Sequence, residues 1–199
     1  MLKIIKVLLF IIVINCVTLF ANDNIGELKT IRGAIESLNP YLDENIAEKC
    51  ATIIDKYGKE YNVSWKILVI IFTQESNFNI KAINWASRDF GIGQMNYTNI
   101  MQRGIDLGLL LTDLDYAILQ TVKFLSELKI KYNTNSRGWL RWYTRYHSFT
   151  PSFRKKYYRI LRGHFNRVEE YLKESLNEQK DNGTRTKQRN PRGNVSKMG

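Results

Sequence analysis

From Trp65 to Gln74 the chain sets Ile67, Leu68, Val69, Ile70, Ile71 and Phe72 side by side, with no charged residue after Lys66. A helix made of such a run is apolar nearly all round, so it belongs at the centre of a domain, wrapped by other elements. Ser64 stands at its cap position. The wrapping helices are legible on both sides. Asp43 precedes Ile46, Cys50, Ile53, Ile54 and Tyr57, which share one helical face, with Gly58 near the end. Helix resumes around Thr98. Asp113 then opens an amphipathic run in which Ile118, Val122, Leu125 and Leu128 recur at helical spacing through Lys131. Trp139, Trp142, Tyr143 and Tyr146 recur three or four apart and predict an aromatic helix, which Phe149 and Thr150 break. Pro151 fits the first position of a long last helix with Phe153, Tyr157, Ile160, Leu161, Phe165, Val168 and Leu172 facing inward. Asn77 to Asn96, rich in Asn, Gly and aromatic residues, breaks the helical period and reads as a loop or short hairpin. The predicted fold class is all-α, with little or no sheet.

The two ends read differently. Lys3 and Lys6 precede an apolar stretch from Val7 to Phe20, and Ala21 precedes polar Asn22. That is the pattern of a secretory signal peptide over residues 1–21, shorter than the roughly 20 apolar residues needed to span a bilayer. An uncleaved N-terminal anchor is the alternative, because Leu19 is large for a cleavage site, and a lipid attachment at Cys16 is disfavoured by Asn15. With cleavage, Cys50 has no intramolecular partner and reads as a buried thiol. Residues 22–42 read as a loosely packed lead-in, because Gly33, Asn39 and Pro40 interrupt helix formers. The compact domain is expected over 43–175. Beyond Glu174 the apolar pattern stops, and 176–199 reads as a basic disordered tail.

Composition excludes several classes. With 44% hydrophobic and 12% aromatic residues and only 3 prolines, the chain is neither a disordered basic segment nor a fibrous protein. Cys16 and Cys50 carry no CxxC or Cys/His spacing, so neither a disulfide framework nor a zinc site is expected. The net charge of +11, from 30 Lys and Arg against 19 Asp and Glu, favours contact with polyanions. For an exported chain these are wall carboxylates and envelope phosphates; no nucleic-acid motif is present.

One carboxyl stands out. Glu75 terminates the central helix, where the negative end of the macrodipole and apolar neighbours both favour its protonated form. A carboxyl so placed can be a general acid near neutral pH, although a Glu fraying off a helix end looks the same in sequence. Ser76 follows it, then Phe90-Gly91-Ile92-Gly93-Gln94-Met95-Asn96, and much later Arg145-Tyr146-His147-Ser148. Gly91 and Gly93 suit a backbone that a ligand approaches closely, and Gln94 and Asn96 offer amide donors and acceptors. Glycines are also turn formers, and Met95 is also a core plug. Asp89 reads as a turn-stabilising residue more readily than as a second catalytic carboxylate.

This trio, a Glu-Ser at a helix end, a Gly-x-Gly-Gln segment and a Tyr-bearing triplet near a final helix, resembles the bacterial soluble lytic transglycosylase (SLT) family over Asp43 to Val168. The resemblance implies a lysozyme-like helical fold with a cleft and Glu75 at its floor. It implies peptidoglycan glycan strands as substrate, with Glu75 as the single acid/base that makes a 1,6-anhydro sugar; no cofactor is implied. Ser76, Gly93, Gln94, Met95, Asn96, Tyr146 and His147 would contact substrate, and the Tyr146 hydroxyl would orient the carboxyl. His147 stands where the commoner family triplet has Asn, so it either donates to substrate or packs. Two other readings stay open: a muramidase using Asp89, and a wall-binding module without turnover. An envelope or secretion-machinery partner would dock on the lead-in segment or the tail, and membrane contact would come only through the signal or anchor.

Overall fold

The structure, a computed structural model, describes residues 26–132 and 137–188; the expected signal peptide, 1–21, lies outside the described residues, as do 189–199 of the expected tail. Residues 26–38 form the first helix, α1. Its Ile31, Ala34, Ile35 and Leu38 are buried in the core, which corrects the expectation of a loosely packed lead-in. Gly33 is not a breaker there. A Cβ at Gly33 would lie 1.8 Å from the Tyr171 hydroxyl, so the missing side chain admits a ring from the last helix. Arg167 Nη2 donates to the Ser37 and Leu38 carbonyls at 3.1 and 3.3 Å, taking up acceptors left open at the helix end. Asn39 Nδ2 donates to Ile35 O and to Thr73 Oγ1, each at 3.1 Å, tying this end to the central helix.

α2 runs Glu44–Glu60 and α3 Trp65–Ser76. Asp43 caps α2, its Oδ1 accepting from the Asn45 and Ile46 amides at 2.9 and 3.2 Å. Ser64 holds the cap position of α3 but makes no side-chain cap bond. Leu68 to Thr73 are all buried, as a helix apolar on every side requires. Cys50 is fully buried on α2, and burial pushes its thiol up to about 12, which leaves a small inert hydrophobe.

A three-stranded antiparallel sheet follows: β1 Ile83–Asn84, β2 Asp89–Phe90 and β3 Met95–Asn96, with Asn84 and Asn96 both paired to Asp89. Then come α4 Tyr97–Gln102, α5 Leu107–Thr112 and α6 Leu114–Tyr132. The aromatic stretch is not an α-helix. It forms two 3-10 turns, Gly138–Leu140 and Trp142–Arg145, because a buried arginine claims its acceptors. Arg154 Nη2 donates to the Trp139 and Leu140 carbonyls at 3.1 Å each, and its Nε to Thr144 Oγ1 at 3.0 Å. Carbonyls satisfied this way do not need the next helical turn.

α7 spans Pro151–Gln188 and packs on α3 and on both turns. Tyr157, Leu161 and Val168 are buried as expected, whereas Phe153 and Ile160 are exposed. The helix also continues to Gln188, through the first part of the disordered tail expected over 176–199. Apolar periodicity is lost there, but no proline stands before Pro191 and Leu176, Glu178 and Lys180 favour helix. Among the described residues, no helix is long and apolar enough to cross a membrane.

Candidate active site

α3 delivers Glu75 to the floor of a cleft of about 600 Å³, walled by the sheet, the C-terminal half of α6, the segment after the 3-10 turns and the start of α7. The six residues from Leu68 to Thr73 are buried and fix the helix, so the carboxyl at its end cannot swing to solvent without unpacking the core. Burial pushes the Glu75 carboxyl up to about 7, and the negative charge of Asp89 adds to the effect. The Tyr157 hydroxyl opposes both. It donates to Glu75 Oε1 at 2.5 Å and so favours the ionised form. The balance is a carboxyl that holds its proton near neutrality and can still release it.

The hydroxyl on Glu75 is therefore that of Tyr157, on α7, and not that of Tyr146. Tyr146 donates instead to the Gly93 carbonyl at 2.5 Å. Burial keeps the Tyr146 phenol well above its ordinary value, with the Glu75 charge adding to the shift. Tyr157 escaped the sequence reading because an inward Tyr at helical spacing reads as core. The available signal was its hydroxyl, which needs a polar partner when buried.

The glycine loop proves to be a packing device. A Cβ on Gly93 would lie 2.3 Å from Thr121 Oγ1 and 2.8 Å from the Tyr146 hydroxyl, and one on Gly91 would lie 2.9 Å from the Leu110 carbonyl. These glycines seat the loop on α6 and α5. Neither glycine lines the cleft. Ser76 belongs to the same framework, its Oγ donating to Ile92 O at 2.7 Å, and neither Ser76 nor Gly93 lines the cleft. Gln94 does line it, in the left-handed region at φ 46, with Nε2 donating to Ala82 O and Gly91 O at 3.0 Å each. That conformation costs about 1 kcal/mol for a side chain of this kind and persists because the surrounding loop fixes it.

Met95, Asn96 and His147 also line the cleft. Met95 is almost wholly buried, so it is a core side chain with one edge at the cleft wall. Asn96 caps α4 through Oδ1, and its Nδ2 donates to Ser87 O and Asp89 Oδ1, each at 2.9 Å. Asp89, read in sequence chiefly as a turn residue, is thus both held by Asn96 and open to the cleft. His147 lies flat on the Tyr157 ring, centroids 4.7 Å apart and planes 12° apart. Partial burial of the imidazole lowers its pKa, so it is a neutral donor or acceptor at neutral pH.

A helical domain with a small sheet at one edge of a cleft, and one buried carboxyl at the end of its central helix, is a lysozyme-like arrangement. Residues 52–150, about half of the chain, match the transglycosylase SLT domain family, and the chain belongs to that family. The match contains Glu75, Gln94, Tyr146 and His147 and ends before α7, which supplies Tyr157. No curated protein and no solved structure matches the chain. The family associates the domain with a peptidoglycan transglycosylase type of function.

Proposed function

We propose that this protein is a lytic transglycosylase that cleaves the β-1,4 bond between N-acetylmuramic acid and N-acetylglucosamine without water. Protonated Glu75 gives its proton to the glycosidic oxygen as the bond to C1 breaks. The resulting carboxylate then takes the proton of the muramic 6-hydroxyl while O6 bonds to C1, which closes the 1,6-anhydro ring and restores the acid. One group serves both steps only if its proton affinity lies near the working pH. The observation that carries this reading is therefore the Glu75 carboxyl, raised to about 7 by burial and aimed by Tyr157. Substrate-assisted chemistry of this kind replaces the second carboxylate of ordinary glycosidases with a group of the sugar.

Asp89 favours a second reading. It lines the same cleft and its charge reaches Glu75, so a muramidase would use it to position water. Mass spectrometry of products from purified peptidoglycan separates the two. Products lighter by one water than reducing-end muropeptides, absent with Glu75→Gln, support the transglycosylase; reducing-end products lost in Asp89→Asn support the hydrolase. Absence of both points to a wall-binding module. We place its action in the periplasm or cell envelope, in keeping with the substrate and with the expected signal peptide.

A further inference from the structure

The positive excess of this chain is gathered in one stretch. Between Leu128 and Val168 there are 11 Lys and Arg and no Asp or Glu, leaving 19 of the 30 cations to face all 19 acids elsewhere. The stretch forms one wall of the cleft, and two of its cations, Lys131 and Arg145, line it. A third cation in the cleft, Arg103, comes from outside the stretch and is neutralised, its Nη1 and Nη2 donating to the two Glu127 oxygens at 2.7 and 2.6 Å.

Arg103 meets the Phe124 ring as well as its carboxylate, whereas Lys131 and Arg145 meet rings alone among the contacts described. The Arg145 guanidinium lies 4.2 Å from the Tyr132 centroid and 5.7 Å from that of Phe149, and the Lys131 ammonium lies 5.4 Å from Tyr132. Tyr132 and Phe149 are themselves packed edge to face at 5.9 Å, so the arginine is held by two rings that fix each other. Its Nε–H is buried and meets no acceptor. With Nε closed off from solvent, the remainder of the guanidinium is what lines the cleft, and the planar fork of arginine suits a carboxylate.

We infer that Lys131 and Arg145 recognise a carboxylate on the peptide stem of the glycan strand and so determine which strands are cut. The inference rests on the proposed substrate, because stem carboxylates are the anions such a strand carries into the cleft. Arg145 adjoins Tyr146 and His147 in the chain and all three line the cleft, so the carboxylate is read beside the reacting sugar.

The test compares soluble peptidoglycan oligomers whose stem carboxyls are free with the same oligomers converted to amides. The wild type is expected to cleave the free-carboxyl form with about tenfold higher kcat/KM, a typical size for one charge-assisted contact. Arg145→Gln and Lys131→Gln should each bring that ratio toward one. Lys131 is exposed, so K131Q keeps the test decisive if R145Q fails to fold. Equal wild-type rates on the two oligomers, or a ratio unchanged in both variants, overturn the inference. If neither oligomer is cleaved, the proposed reaction falls, and the affinities of Glu75→Gln protein for the two oligomers decide this point instead. A preference lost with Lys131→Gln then supports it, and equal affinities sink it.

Discussion

The Tyr157 hydroxyl donates to Glu75 Oε1 at 2.5 Å across 82 residues of sequence. The central helix supplies the carboxyl, burial raises its proton affinity, and α7 draws that affinity back down, so delivery and trimming belong to separate elements. His147, stacked on the face of the same tyrosine, fixes the ring that carries the hydroxyl.

Tyr157→Phe removes a donor that stabilises the carboxylate. The Glu75 pKa should then rise further above about 7, because burial and Asp89 are left unopposed. The alkaline limb of the kcat/KM profile should move up by about one pH unit, while kcat falls as the carboxyl loses its aim. Tyr146→Phe removes the bond to Gly93 and the contact with Thr121, neither of which touches a Glu75 oxygen, and should leave the limb nearly in place. A limb that moves down in Tyr157→Phe would falsify the assignment.

Glu75→Gln should abolish turnover and also stabilise the fold. The folded carboxyl binds its proton more tightly than the unfolded one, with a pKa of about 7 against the ordinary 4.5. Its favourable contribution is full below the unfolded value and is lost as pH rises toward and through the folded value. Urea unfolding at about pH 8 should therefore find the variant more stable by about 1–3 kcal/mol, with the gap closing near pH 4. A variant less stable than wild type at both pH values would mean that the site is not strained by its charge.

Gly93→Ala drives a methyl into Thr121 Oγ1 and the Tyr146 hydroxyl. Overpacking of this kind costs about 1–3 kcal/mol. Adding Thr121→Ala clears Oγ1 and Cγ2, the contacts at 2.3 and 2.9 Å, and should restore part of the loss. A double-mutant cycle by denaturant unfolding with no coupling between the two sites would show that the loop relaxes freely.

Ile35 is fully buried although it lies in the segment that reads as a lead-in. Ile35→Ala should destabilise the domain by about 2–4 kcal/mol. If thermal unfolding of this variant matches wild type, α1 is an appendage.

The parts legible in sequence are those in which local signals agree with tertiary packing. Asp43 caps α2, the run from Leu68 to Phe72 is buried on all sides, and Glu75 ends that helix at the cleft. The misread parts are those in which a distant side chain overrides the local signal. Gly33 reads as a breaker until Tyr171 is laid over it, and Trp139 to Tyr146 read as α-helix until Arg154 takes the carbonyls. Within the site, Gln94, Met95, Asn96, Tyr146 and His147 do reach the cleft, while Ser76 and Gly93 serve the framework. Tyr157 was hidden because periodicity reports which face a residue occupies and says nothing of what its hydroxyl meets.

The bonds from Arg167 to the carbonyls of Ser37 and Leu38 join positions about 130 residues apart. Synthesis runs from the amino end, so α1 and the central helix are made long before the segment that clasps them. A growing polypeptide cut short before α7 has neither this clasp nor the phenol that aims its acid. On the proposed reaction, competence to cut glycan strands therefore arrives only once α7 has been made and has docked.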